Sequence, residues 1–269
     1  MGTLRKNINH TYAICAYKES PYLEACIRSI KRQTVESEIL IATSTPNTWI
    51  EKLAQKYNIP IFINNKEKGI TQDWNFAYSC CNTGLVTLAH QDDLYGKHYT
   101  EEMLKSISLS RRPVIYFTNY GEVRNGKISR TSGMLKVKRL MLLPLTLKKL
   151  QKYIFVRRRI LSMGDAICCP SVTFVKDNTD LPEEIFAHGF RSDEDWEAWE
   201  KLSRLKGEFI YNDRIMVLHR IHEESETSII IGENKRQEED FVMFQKFWPK
   251  PVAGIITKLY ASGEKYNVV

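Results

Sequence analysis

Before Asn65 the chain alternates strand, helix, strand, helix, strand, and nothing else in it restricts the fold so much. Thr11–Ala16 is a short apolar, β-favouring run. Leu23, Cys26, Ile27 and Ile30 then recur at helical spacing, and Ser20 before Pro21 predicts the start of that helix. Glu38–Thr43 reads as a second strand, Ser44–Asn47 as a turn, Trp49–Tyr57 as a helix and Ile59–Ile63 as a third strand. Such an order predicts an α/β fold with a parallel sheet and right-handed crossovers.

A fourth strand carries the chemistry. A helix from Ile70 to about Cys81 stops at Asn82-Thr83-Gly84, and Leu85–Ala89 then runs into His90-Gln91-Asp92-Asp93-Leu94-Tyr95. Acids delivered at the C-terminal end of a buried strand stand where an open α/β sheet forms its ligand crevice. Adjacent carboxylates repel unless a cation lies near them. A hard divalent metal that also bridges phosphates uses such a pair, while a plain helix N-cap accounts for it as well.

Further along, Lys97–Ser108 is an amphipathic helix, Val114–Asn119 a strand, and Asn125-Gly126 a turn. From Val123 to Gly164 there is no Asp or Glu, while basic residues from Arg124 to Arg159 alternate with Leu, Met, Ile and Phe. Such a segment reads as an anion- or membrane-facing element, or as a solvated face that packs its leucines on the core. Ala166–Phe174 returns to strand character, Phe190–Asp195 caps a helix from Trp196 to Leu205, and Phe209–Ile221 is strand material. Helices near Glu233–Phe247 and Val252–Tyr260 close the chain.

A formal charge of +7 suggests an anionic partner. The 6 cysteines include the adjacent pairs Cys80-Cys81 and Cys168-Cys169, with no C-x-x-C spacing. Zinc and thioredoxin-like readings therefore lack support, and reduced buried thiols in a cytoplasmic protein are expected. Tyr12–Ala16 is too brief for a signal-peptide core, and the apolar runs Leu140–Leu147 and Val252–Ile256 are too short or too interrupted to span a bilayer. The chain is expected not to cross a membrane, although it has the charge pattern to lie against one.

Several motifs, in order, resemble the family 2 glycosyltransferases of the GT-A fold, from about Tyr12 to Ser228. Ala16-Tyr17-Lys18-Glu19-Ser20, with Ser29-Ile30 and Gln33-Thr34, is similar to that family's first strand and helix. Gly69, Asn75 and Gly84 resemble its donor-binding helix, and His90-Gln91-Asp92-Asp93 stands at its D-x-D position. Glu194-Asp195-Trp196 resembles its Glu-Asp motif, and Arg220-Ile221-His222 its Arg-x-His. The resemblance implies a Rossmann-like nucleotide-binding half with a mostly parallel central sheet over 1–120. A basic linker and acceptor-binding half would follow over 121–230, and a C-terminal helical extension over 231–269.

The resemblance also implies an inverting, metal-dependent transfer of a sugar from a nucleoside-diphosphate sugar to a hydroxyl. Asp92 is the expected ligand for Mn²⁺ or Mg²⁺, with His222 adding a nitrogen, and Arg220 would pair with the diphosphate. Asp195 is the expected base on the acceptor side, with Glu194 as substitute. Donor contacts are expected from Ala16, Tyr17, Glu19, Thr43, Ser44, Lys68, Gln72, Asn75, Gln91, Asp92, Asp93 and Arg220. Two departures stand out: His90 replaces the first acid of D-x-D, and Ala42-Thr43-Ser44-Thr45-Pro46 lacks the acids that read uracil in the family. A UDP-sugar is still the first expectation for the donor, and a glycan or lipid-linked saccharide for the acceptor. The enzyme would be cytoplasmic, held peripherally at an anionic inner membrane face by the basic segment and the last helix. Trp74, Trp196 and Trp199 are candidates for sugar stacking, although Trp196 and Trp199 suit a core equally.

Two other readings compete. A nucleotidyltransferase would normally carry a Gly-rich phosphate loop near the first strand, and Ala16-Tyr17-Lys18-Glu19 has no glycine. A non-catalytic basic module for nucleic acid or membrane would not need acids at strand ends. Nucleic acid is not expected as a partner.

Overall fold

The computed structural model describes residues 9–222 and 236–264, with side chains to 261. The expected alternation is present: β1 (His10–Ala16), α1 (Leu23–Lys31), β2 (Glu38–Thr43), α2 (Thr48–Tyr57), β3 (Ile61–Ile63), α3 (Ile70–Ser79) and β4 (Leu85–His90). β1 pairs in parallel with β2 on one side and with β4 on the other, and β2 carries β3 outward. β1 and β4 are near-continuous runs of buried residues because helices cover both faces of the sheet. The order 3-2-1-4 reverses its direction of growth between β1 and β4, and a crevice opens beyond the carboxyl ends of those two strands.

One difference bears on the site. The first helix begins at Leu23, not at Ser20-Pro21. The Ser20 hydroxyl is committed elsewhere: it donates to Asp92 Oδ1 at 2.9 Å and receives the Tyr22 N–H at 3.2 Å. Residues 21 and 22 therefore form a turn that ties the start of α1 to the end of β4.

The second half continues the sheet. β5 (Leu94–Tyr95) and α4 (Tyr99–Ser108) lead to β6 (Pro113–Arg124), which turns at Asn125 (φ 48°) and Gly126 (φ 75°) into β7 (Lys127–Ser129). Two successive positive φ values at an Asn-Gly pair make the primed hairpin turn that this dipeptide favours. α5 (Gly133–Leu142), 3₁₀ turns at 143–146 and 148–150, and α6 (Ile154–Leu161) occupy the basic segment. β8 (Val172–Val175) is shorter than the expected strand, because Cys169-Pro170-Ser171 forms a 3₁₀ turn: proline lacks the N–H that a ladder needs. β8 is antiparallel to both β4 and β6 and joins the two halves into one nine-stranded sheet among the described residues.

α7 (Glu194–Leu202) precedes β9 (Glu208–Ile221), which runs parallel to β6 and antiparallel to β5. The pairing Leu94↔Leu218 brings the end of β9 against the residues that follow Asp92-Asp93. α8 (Arg236–Gln245) and α9 (Lys250–Glu264) complete the described chain. Glu223-Glu224-Ser225 and the start of the expected helix near Glu233 lie outside the described residues.

Two cores sandwich the sheet. α1, α2 and α4 bury Leu23, Ile27, Ile50, Tyr99 and Met103 on one face, and α3, α6, α7, α8 and α9 bury Tyr78, Ile160, Trp196, Trp199, Phe244 and Ala253 on the other. Trp196 and Trp199 are 0% exposed, and their indole N–H groups donate to Leu161 O and Ile167 O. They are core residues and not a sugar platform. No helix among the described residues is long and apolar enough to cross a membrane.

Candidate functional site

The crevice beyond β1 and β4 has a volume of about 950 Å³, within the range of small-molecule sites. Ala16, Tyr17, Lys18, Glu19, Ser20, Lys68, Asp73, Trp74, His90, Gln91, Asp92 and Asp93 line one wall, with His219, Arg220 and His222 reaching over from β9. Lys138, Asp165, Cys168, Asp193, Glu194 and Asp195 line the other.

The first wall is a set of carboxylates with close partners. Asp92 accepts from Ser20 on Oδ1, and its Oδ2 lies 3.0 Å from His222 Nε2. Asp93 is 0% exposed: it accepts the Arg220 backbone N–H at 2.8 Å and lies 3.0 Å from His219 Nδ1. Burial opposes its ionisation, but the His219 charge and hydrogen bond, His90 and the Arg220 N–H together hold its carboxyl below the ordinary range. Burial likewise works against a charged His219, and Asp93 overcomes this and raises its pKa. Asp93 thus binds the end of β9 to the end of β4. Expected to contact the donor, it lines the crevice with both oxygens engaged by His219 and the Arg220 N–H.

Arg220 also donates from Nε to Asp92 O at 3.0 Å and lies 4.3 Å over the Tyr22 ring. Gln91 clamps the wall by exchanging two hydrogen bonds with the Tyr17 backbone, at 3.0 and 2.9 Å. Lys18, at the turn after β1, has φ 54°, a left-handed conformation uncommon outside glycine, and its N–H donates to Thr45 Oγ1. His90 stacks on Trp74 at 4.7 Å, and burial lowers its pKa against the pull of Asp93. The residue in place of the first D-x-D acid is therefore a neutral imidazole packed on an indole.

Four expected donor residues do not line the crevice. Thr43 and Ser44 are buried at 1% and 3% exposure, and the Thr43 hydroxyl accepts the Thr45 N–H. Ser44 donates at 2.6 Å to Asp73 Oδ2, whose other oxygen accepts from Asn64 Nδ2 at 2.8 Å. Asn75 spends its amide on the backbone of Phe186, which it holds at both N–H and C=O, and Gln72 meets His188 at 3.2 Å. These bonds tie α3 to residues 186 and 188. Asp73 is the residue that sequence reasoning missed. Acids are common in the first turn of a helix, where they match its dipole, so the position carried no signal of a wall carboxylate.

The second wall places acids against each other. Asp195 accepts its own neighbour's N–H, from Trp196. Burial first, then the charges of Asp165 and Glu194, push its pKa well above the carboxylate range, and Lys138 only partly offsets them. Asp165 is raised chiefly by burial, and Asp193 by burial and by Asp240. Burial works against the Lys138 ammonium, which Tyr120 and Asp165 nevertheless hold charged, its Nζ 5.7 Å over the Tyr120 ring. The thiols of Cys168 and Cys169 are pushed up by burial and by Asp93 and Asp195 respectively, so they are inert here.

Among the described residues no three His, Cys, Asp or Glu side chains gather as a metal cluster. A cation that also binds phosphates needs fewer: hard divalent ions commonly take one or two protein ligands and complete their shell with phosphate and water. The facing Asp92 oxygen and His222 nitrogen, 3.0 Å apart at the crevice edge, fit that donor set.

A mixed sheet with a crevice at the switch point of its parallel half, paired acids at the end of β4 and a separate acidic wall match the GT-A architecture that the sequence led us to expect. The family model for glycosyl transferase family 2 matches residues 11–178, and the chain belongs to that family. It is a nucleotide-sugar-dependent glycosyltransferase, and the nucleotidyltransferase and non-catalytic readings fall away. No curated protein matches the chain in sequence. Among solved structures it is similar to S. aureus TarS 1-349 in complex with UDP-GlcNAc, with a TM-score of 0.60 at 13% identity over 92% of this chain and 70% of that one. It is also similar to the mannosyltransferase PcManGT from Pyrobaculum calidifontis in complex with GDP-Man and Mn²⁺, with a TM-score of 0.59 at 12% identity over 94% and 69%. At these identities the likeness concerns the fold.

Proposed function

We propose that the enzyme transfers a hexosyl group, with inversion, from a nucleoside-diphosphate sugar to a hydroxyl of a glycan or lipid-linked saccharide. The observation that carries this reading is the division of one crevice into a wall whose aspartates have close hydrogen-bond partners and a wall of crowded acids, where burial and like charges raise the pKa of Asp195. The acceptor oxygen forms a bond to the anomeric carbon as the bond to the diphosphate oxygen breaks, its electron pair leaving with the diphosphate. The acceptor proton passes to Asp195, whose raised pKa suits a base that must take it, with Glu194 as its neighbour.

Asp92 and His222 would hold the divalent cation, Mn²⁺ or Mg²⁺, and Arg220 would meet the diphosphate. When bound, such a cation stabilises negative charge on the departing diphosphate. Tyr17, Glu19 and Lys68 flank the donor end. Asp73, held by Ser44 and Asn64, supplies a carboxylate where β2 has none. A carboxylate only accepts hydrogen bonds, so it suits the ring N–H of uracil or guanine, whereas the ring N3 of cytosine is itself an acceptor and leaves only its exocyclic amine to pair. Mn²⁺ in PcManGT and UDP-GlcNAc in TarS agree with these choices. A lipid-linked acceptor would place the enzyme on the cytoplasmic face of a membrane.

Calorimetry with UDP, GDP, CDP and dTDP, each with and without Mn²⁺, tests the donor half. Metal-dependent binding of UDP or GDP that disappears in Asp92→Asn is expected. Binding of every nucleotide that is indifferent to metal would sink the metal assignment.

A further inference from the structure

The acid-free segment divides its basic residues into two groups. Arg157, buried at 1% exposure, donates to the carbonyls of Ser203, Leu205 and Gly207, Arg158 pairs with Glu200, and Arg139 donates to Tyr120 O. These hold the fold. Lys148, Lys149 and Lys152 are exposed, and exposed apolar side chains flank them on both sides in sequence. Leu140 is 70% exposed, Phe155 72%, and Leu143 and Leu147 more than half.

These residues belong to one surface. α5, the two 3₁₀ turns and α6 pack directly on one another in sequence. α9 lies alongside: a Cβ on Gly164 (φ 134°) would come 2.6 Å from the Tyr260 ring, and Trp248 donates to Ser162 O. α9 adds Ile255 and Leu259, 63% and 68% exposed. Met134 and Lys138 of α5 line the acceptor wall of the crevice, whereas Val137 and Leu140 of the same helix are exposed. α5 therefore carries part of the apolar ridge and part of the crevice wall proposed for the acceptor.

We propose that this surface, residues 133–163 with the α9 stripe, docks on an anionic lipid bilayer and holds the acceptor side of the crevice at the lipid. Charge complementarity selects the occupant: the segment carries lysines and arginines with no acid to offset them. The form of the apolar groups selects it too. Leu140, Leu143 and Leu147 and the run Tyr153–Phe155 flank Lys148, Lys149 and Lys152, an arrangement that immerses apolar side chains while the ammonium groups stay at phosphate level. The exposed Tyr153 and Phe155 rings suit the interfacial belt. Only the orienting role rests on the transferase reading; the docking does not.

The test is sedimentation of the full chain with vesicles of phosphatidylcholine, with and without phosphatidylglycerol, at low and high salt. Binding confined to the anionic vesicles and weakened by salt is expected. Lys148→Glu and Lys149→Glu should each weaken it about fivefold or more. Leu140→Asp with Phe155→Asp should abolish it, while metal-dependent nucleotide binding by the same variants stays unchanged and shows them folded. No binding to anionic vesicles, equal binding to neutral ones, or unchanged binding by these variants would overturn the proposal. So would self-association in lipid-free buffer that Leu140→Asp abolishes, since the ridge would then join two copies of this chain. Loss of nucleotide binding in the unaltered chain would instead count against the donor reading.

Discussion

The two walls of the crevice use the same residue type in opposite ways. On the wall proposed to hold the donor, three aspartates have close partners: Asp92 has Ser20 and His222, Asp93 has His219 and the Arg220 N–H, and Asp73 has Ser44 and Asn64. On the acceptor wall Asp165, Asp193, Glu194 and Asp195 crowd one another, with Lys138 offsetting part of their charge. Hydrogen bonds to the ionised form favour ionisation, whereas burial among like charges favours the proton. On the proposed reading, the wall of partnered aspartates faces the donor and the crowded wall takes the acceptor proton, the division that a displacement at an activated sugar needs.

The largest expected effect breaks the acceptor wall. Asp195→Asn should lower the rate of nucleoside diphosphate release from the matching sugar nucleotide by about 10²- to 10⁴-fold and leave nucleotide binding intact. A fall of less than about tenfold would remove the base role. The same comparison predicts the pH profile. Asp195 must be deprotonated to act, so activity should fall with decreasing pH through a value above the ordinary carboxylate range. Lys138 lowers that pKa, so Lys138→Met should move the acid limb to higher pH.

Breaking the donor wall should cost stability. Asp93→Asn removes the anion from a buried pair, which costs about 3 kcal/mol. The Asp93 carboxyl is held below its unfolded value, so its contribution is present above the unfolded carboxylate pKa of about 4 and is lost as pH falls through the folded one. His219 is raised, so its contribution is present below the unfolded histidine pKa of about 6.5 and is lost as pH rises through the folded one. Urea denaturation should therefore show the widest gap between wild type and variant near pH 5 to 6, between those limits. A gap that does not change with pH would mean that the pair is not ionised.

What was legible in the sequence follows from what neighbours along the chain can encode. The βαβ order, the strand Glu38–Thr43 and the acids at the end of β4 are local patterns, and each stands in the structure as read. Ser20-Pro21 has the local form of a helix start, yet Asp92, distant in sequence, takes the hydroxyl that would have capped it. Trp196 and Trp199 have a spacing that suits a core or a platform alike, and only burial decides. Lys138 looks like any lysine of a basic segment until the fold sets it beside Tyr120 and Asp165. The first wall is only partly a local pattern: β1 and β4 deliver Tyr17 to Ser20 and His90 to Asp93, but α3 and β9 add Asp73, Trp74, His219, Arg220 and His222 from elsewhere in the chain. The acceptor wall gathers residues from α5, the α6–β8 link and α7.

The smallest expected effect sharpens the comparison at the donor wall's far end. β2 ends without an acid, and the carboxylate there belongs to α3, anchored through Ser44 and Asn64. If Asp73 reads the base, its two anchors leave lone pairs on both oxygens for a ring N–H, and the charge strengthens that bond. Asp73→Asn keeps the shape but turns one oxygen into a donor, which opposes the N–H of uracil or guanine and suits the ring nitrogen of cytosine. Affinity for the preferred nucleotide should fall about tenfold, and the gap to CDP should narrow or reverse. Equal loss for all four nucleotides would make Asp73 a brace for the end of β2, and the base would then be read by the β1 turn at Tyr17 to Glu19.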